Sequence, residues 1–113
     1  MIAGAGWHPG VIGIVAGRIK EKAGRPAIVI ALDDAGVGKG SGRSISGVDL
    51  GAAVLAAKDS GLLVAGGGHA MAAGLTVAAD RIDALADYLD ERLSAAVAKA
   101  RDDRALLIDA VLA

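Results

Sequence analysis

Cysteine and phenylalanine are both absent from the 113 residues. Without cysteine there is no disulfide framework, no thiol nucleophile and no cysteine-held zinc or iron–sulfur centre, and a reducing compartment is the natural setting. Without phenylalanine, Trp7 and Tyr88 are the whole aromatic content, 2% of the chain, so the core must be aliphatic and alanine-rich. Histidine occurs twice, at His8 and His69, and these with the scattered aspartates lack the spacing of a metal-ligand set; no metal is expected on this chain. Nor does any Ser/His/Asp arrangement stand out by spacing. No uninterrupted apolar run approaches the ~20 residues of a membrane span, and the start has no basic region followed by an apolar signal core. The expectation is a soluble, cytoplasmic protein without a membrane partner.

Charge of either sign is also scarce in the net. Twelve basic and 13 acidic residues leave a formal charge of -1, so nucleic-acid contact would need a local basic patch. The distribution is mildly uneven. Up to Ala79 there are 7 Lys/Arg against 5 Asp/Glu, and beyond it 5 against 8.

What is abundant is apolar residues, 54% of the chain, and glycine, 17 of 113, roughly twice the ~7% average. The apolar content predicts a globular domain with a buried core. Val11, Ile14, Val15 and Ile19 follow helical spacing, with Gly24 and Pro26 as the stop. Ala27 to Leu32 is a continuous β-branched run, expected as a central strand covered on both faces. Asp33-Asp34-Ala35-Gly36 reads as a turn. Gly36, Gly38, Gly40 and Gly42 then alternate with Val37, Lys39, Ser41 and Arg43, predicting a strand with one bare and one cationic face. Asp49 is placed to cap a helix through Ala57, with Gly61 as its stop. Ala70 to Val77 suggests a further strand. Asp80 is expected to cap a long helix whose stripe is Ile82, Leu85, Leu89, Leu93 and Val97. Ile2 to Ala5 and Leu106-Leu107-Ile108 both read as strand fragments, as if each end were cut from a longer protein. The fold class expected is α/β, a single domain with a mixed sheet of about five strands and three main helices.

Three places carry possible chemistry. Trp7-His8-Pro9-Gly10 precedes a helix start, where unpaired N–H groups suit an anion and His8 could add a donor; equally, Trp7 could anchor the core and His8 cap the helix. Lys39, Ser41 and Arg43 would project from one side of their strand ~6.6 Å apart, close to the phosphate repeat of an extended single strand. The competing account is a glycine-weakened edge strand guarded by Lys and Arg. Gly66-Gly67-Gly68-His69 could form a nest of backbone N–H groups with an imidazole at its rim, or a plain glycine turn ending in a structural histidine.

Gly6-Trp7-His8-Pro9-Gly10-Val11-Ile12-Gly13-Ile14-Val15-Ala16, Gly38-Lys39-Gly40-Ser41-Gly42-Arg43-Ser44-Ile45 and Gly66-Gly67-Gly68-His69-Ala70-Met71-Ala72-Ala73-Gly74, taken in order, form a joint pattern. It resembles the DHH-associated domain of the RecJ family, bacterial single-strand-specific DNA exonucleases of the DHH phosphoesterase superfamily. The resemblance implies a substrate-binding domain over residues 1–105. Residues 106–113 would begin a linker toward a downstream oligonucleotide-binding-fold domain. It also implies an upstream DHH catalytic domain holding Mn²⁺ or Mg²⁺, and a 5′-to-3′ exonuclease used in DNA recombination and repair. By the same resemblance Arg43 with Ser41 and Ser44 would contact phosphates of single-stranded DNA. His69 and the glycine turn Gly66, Gly67, Gly68 would face the scissile phosphate, Lys39 would add charge, and His8 would lie near the same cleft. The departure is that no Asp-His-His motif is present, so the isolated chain is expected to be inactive. Two alternatives stay open: the associated domain of an oligonucleotide or cyclic-dinucleotide phosphodiesterase, and a non-catalytic protein-interaction module.

Overall fold

His8, itself in an extended conformation, starts helix α1, Pro9–Ala23, its Nδ1 accepting a hydrogen bond from the Gly10 amide at 3.0 Å. Proline at the first helical position loses nothing there, because that amide has no partner inside the helix. Gly24 stops the helix in the left-handed conformation, φ 65°, its amide bonded to the Lys20 carbonyl. These residues belong to a computed structural model that describes residues 1–5 and 8–112, with backbone alone at Ala5, Pro9 and 101–112. Trp7 and its expected anchoring role lie outside the described residues.

Strands β1 (Ile2–Ala5), β2 (Ala27–Leu32), β3 (Val37–Arg43), β4 (Ala65–Gly68) and β5 (Ala72–Ala78) form one five-stranded sheet in the order β1-β2-β3-β5-β4. β1 and β2 are parallel, joined by α1; every other pairing is antiparallel, so the sheet is mixed, as expected. Two corrections follow from the order. The middle of the sheet belongs to β3, not to β2, and β3 is therefore no edge strand guarded by its cations. Helix α2 (Leu50–Asp59) and the long helix α3 (Ile82–Leu112) complete the three main helices, with a short 3₁₀ turn at Ala79–Arg81 between β5 and α3.

Period-two alternation sorts the sheet into two faces. On one, Ile28, Ile30, Leu75 and Val77 pack with Leu50, Ala53 and Val54 of α2 and Leu85 and Leu89 of α3. The bare side of β3 looks into this layer: a Cβ on Gly38, Gly40 or Gly42 would come within 2.7 Å of Ile30, Leu75 or Leu50 respectively. The alternate glycines thus admit neighbouring aliphatic side chains. On the other face Val29 and Ala31 pack with Ile12, Ala16 and Ile19 of α1. A third cluster, Val48, Val97 and Ala100, holds the loop after β3 against α3.

Asp49 caps α2 as expected, Oδ1 accepting from the Ala52 amide at 3.0 Å. Asp80 does not cap α3; it sits within the 3₁₀ turn. Residues 106–108 continue α3 instead of beginning a strand. No helix among the described residues is long and apolar enough to cross a membrane.

Candidate nucleic-acid interface

Helix α1 packs on β2 and β3, and among the described residues no helix packs on the β5 and β4 side of that sheet face. The uncovered half is an open depression of about 540 Å³ whose lining includes Ile12, Lys39, Ser41, Gly67, Gly74 and Thr76 and, among the described residues, no carboxylate. The pairing register arranges it in three rows across β3, β5 and β4. Lys39 stands beside Thr76 and Ala65, Ser41 beside Gly74 and Gly67, and Arg43 beside Ala72. Rows lie ~6.6 Å apart along a strand and strands ~4.8 Å apart across it.

Each polar group has a defined neighbour. Lys39 is exposed, and its Nζ donates to Thr76 Oγ1 at 3.3 Å. Arg43 is half-buried beside α1; its Nη1 donates to Ser41 Oγ at 3.0 Å and to the Gly42 carbonyl at 2.8 Å. The row of three is thus not a set of free heads. Ser41 has its hydroxyl oxygen already engaged by a guanidinium, leaving its own proton free to be donated outward. The middle row is bare backbone beyond Ser41: a Cβ on Gly67 would meet nothing within 4 Å, and one on Gly74 only the Gly40 carbonyl at 3.8 Å.

The glycine run departs from its expected shape. Gly66, Gly67 and Gly68 form edge strand β4, hydrogen-bonded to β5, and not a nest. A nest needs successive amides curled toward one point, whereas an edge strand turns alternate amides outward. Gly68 is required by the tight hairpin: with φ 153°, its Cβ would lie 2.5 Å from Ala73 Cα. The turn falls after it. His69 donates its amide to the Ala72 carbonyl at 2.7 Å, and its own carbonyl accepts from the Gly51 amide at 3.1 Å. Ala70 likewise accepts from the Leu50 amide at 3.0 Å. The first amides of α2 are thereby spent on the hairpin, holding the exposed His69 beside the Arg43–Ala72 row.

Lys39, Ser41, Gly66 and Gly67 are therefore brought together in the depression, with Arg43 joined to it through Ser41. Gly68 and His69 are not part of its lining; His69 is tied by its backbone to Ala72 and to the start of α2. Ser44 is withdrawn: it is fully buried, and its hydroxyl donates to the Val48 carbonyl at 2.7 Å. His8 commits Nδ1 to the helix cap, the structural role considered for it. Gly74 and Thr76 were missed, although the alternation of Leu75 and Val77 placed both on the face opposite the core. A second cavity, about 420 Å³, lies on the α3 side among Arg25, Asp87 and Asp90, away from these groups and mixed in sign. Among the described residues no three His, Asp or Glu side chains stand together as a metal-binding group.

Residues 1–95 match the DHHA1 domain family. The chain is 48% identical over 95 residues to the single-stranded-DNA-specific exonuclease RecJ of Dickeya dadantii, spanning 79% of this chain and 16% of that protein. Against the exonuclease RecJ of Bacillus subtilis it is 44% identical over 92 residues, 80% of this chain and 12% of that one. The chain thus corresponds to less than a fifth of these relatives. A crystal structure of RecJ from Thermus thermophilus in complex with Mg²⁺ superposes with TM-score 0.69 at 33% identity, covering 82% of this chain and 14% of that one. The C-Ala domain of Aquifex aeolicus alanyl-tRNA synthetase shares the fold alone, with TM-score 0.64 and 16% identity over 81% of this chain and 86% of that domain.

Proposed function

This chain belongs to the DHHA1 domain family, and from that premise we propose that it is the strand-holding domain of a RecJ-like 5′-to-3′ single-stranded-DNA exonuclease of recombination and repair. The observation that carries the reading is an open face lined, among the described residues, by no carboxylate, with Lys39 and Arg43 two rows apart on β3 and a bare glycine floor between β3 and β4. Cations and a hydroxyl at ~6.6 Å steps follow a phosphate backbone without reading bases. Lys39 supplies a point charge, Ser41 an O–H, and Arg43 a guanidinium whose remaining N–H groups serve a phosphate oxygen. Outward amides of β4 and the exposed His69 stabilise charge on the scissile phosphate. Ser44 serves the loop, not the strand.

Hydrolysis in this reading uses water activated on Mn²⁺ or Mg²⁺. Among the described residues no donor set fits such a centre; in this reading the ions would be held by a DHH catalytic domain elsewhere in the polypeptide, and the present residues hold and orient substrate. Residues 1–105 are the domain proper. Residues 106–113 begin the passage to a downstream oligonucleotide-binding-fold domain, in a cytoplasmic enzyme. One observation favours protein contact as well: α1 turns Val11 and Ile14 outward, 50% and 60% exposed, on the side away from its packed residues. That face suits another domain of the same polypeptide while the groove holds DNA.

The test is fluorescence anisotropy of the 113-residue chain with labelled thymidine oligomers over a salt series. Weak binding is expected, above micromolar, with log K falling by about 0.7 per phosphate contacted for each unit of log salt. Affinity indifferent to salt would overturn the phosphate-tracking reading in favour of an apolar protein interface.

A further inference from the structure

Arg43 does not reach the groove unaided. Its stem passes under helix α1, where a Cβ on Gly17 would lie 3.9 Å from Cγ, and its head ends beneath Gly13. A Cβ on Gly13 would stand 2.9 Å from Nη2 and 3.2 Å from Ser41 Oγ. The same guanidinium, through Nη1, bonds Ser41 Oγ at 3.0 Å and the Gly42 carbonyl at 2.8 Å. The absence of a side chain at Gly13 is therefore what leaves room for the guanidinium and the serine hydroxyl together. Gly13 has ordinary helical backbone, since it is not among the glycines of positive φ. Nothing in its own conformation calls for glycine, and a glycine inside a helix costs stability relative to alanine.

We infer that Gly13 is a positioning residue for strand binding: the notch it leaves in α1 sets the direction of the Arg43 guanidinium and keeps it on Ser41, pre-arranging the pair for a phosphate. This rests on the phosphate-contact role proposed for Arg43. An arginine free to swing would lose rotamer freedom when it binds, whereas one held between a helix and a hydroxyl has already given up that freedom. The group it would serve is one phosphodiester oxygen of a single strand. Gly17 provides the internal comparison, because a methyl there makes only ordinary contact with the Arg43 stem.

The experiment is a double-variant cycle on the 113-residue chain, titrated with hexathymidylate and followed by amide and arginine Nε–Hε resonances, with thermal midpoints measured beside it. Gly13→Ala is expected to shift the Arg43 Nε–Hε signal and to weaken hexathymidylate binding by about tenfold, close to the loss from Arg43→Ala. Gly13→Ala added to Arg43→Ala should weaken binding no further, and Gly17→Ala should leave affinity unchanged. If Gly13→Ala alone is poorly folded, the double variant empties the notch and should recover the thermal midpoint of Arg43→Ala. An unmoved Arg43 signal with unchanged affinity in Gly13→Ala overturns the inference, as does an equal loss of affinity from Gly13→Ala in both backgrounds. If Arg43→Ala itself leaves affinity intact, the phosphate role of Arg43 fails, and the notch is then judged by the Arg43 resonance alone.

Discussion

Ser44 Oγ donates to the Val48 carbonyl at 2.7 Å inside a fully buried pocket, three residues along from Ser41, whose hydroxyl faces the open groove. The two serines of one glycine-rich block thus do different work. Ser44→Ala leaves a buried carbonyl without its donor and should cost about 1–3 kcal/mol of stability, read as a lowered urea midpoint. Ser41→Ala should leave that midpoint nearly unchanged and weaken single-strand binding instead. A stable Ser44→Ala variant with impaired binding would restore Ser44 to the strand-contact set.

Gly74 and its cross-strand partner Gly67 have room for a side chain within the chain itself. Gly74→Ala and Gly74→Val should fold with unchanged or higher thermal midpoints, since both replacements lower the entropy of the unfolded chain and valine suits a strand. Both should weaken strand binding, valine more, because the added atoms stand where sugar and base must lie. Retained affinity in Gly74→Val would show that the floor is not in contact with the strand.

Gly51 lets α2 approach the β4–β5 hairpin: a Cβ there would fall 2.8 Å from the His69 carbonyl oxygen. Gly51→Ala should break the Gly51–His69 bond, destabilise the domain by about 1–3 kcal/mol and shift the amide resonances of residues 68–72. Asp49→Ala, which removes only the cap, should cost about 1 kcal/mol and leave those resonances in place.

His69→Ala should leave the thermal midpoint unchanged, since the side chain is exposed and only its backbone ties the hairpin to α2. In the full-length exonuclease proposed above its effect should fall on kcat more than on KM, if the imidazole acts on the reacting phosphate as proposed. A loss confined to KM would make His69 a binding residue.

The 113-residue chain alone should not degrade single-stranded DNA with either Mn²⁺ or Mg²⁺ over a long incubation. Metal-dependent release of nucleotides from the purified chain would mean that it holds a metal-binding set of its own.

Periodicity and end signals in the sequence determined most of the elements. Pro9 and Gly24 frame α1, Asp49 and Gly61 frame α2, and Ala27 to Leu32 is a strand because its β-branched run has no helical stripe. The alternation in β3 separated Lys39, Ser41 and Arg43 from the glycines before any neighbour was known. These are local properties, set by the backbone and the nearest residues in the chain. What only the tertiary structure decided is what each face meets. The glycines of β3 make way for Ile30, Leu75 and Leu50; Gly66 to Gly68 run along an edge; Ser44 turns inward to Val48; and Arg43 lies under Gly13. The partners in those contacts are up to 35 residues distant, as in Gly40 and Leu75. A single chain pattern carries no signal for such pairs, because close packing between strands and helices is settled only when they are brought together.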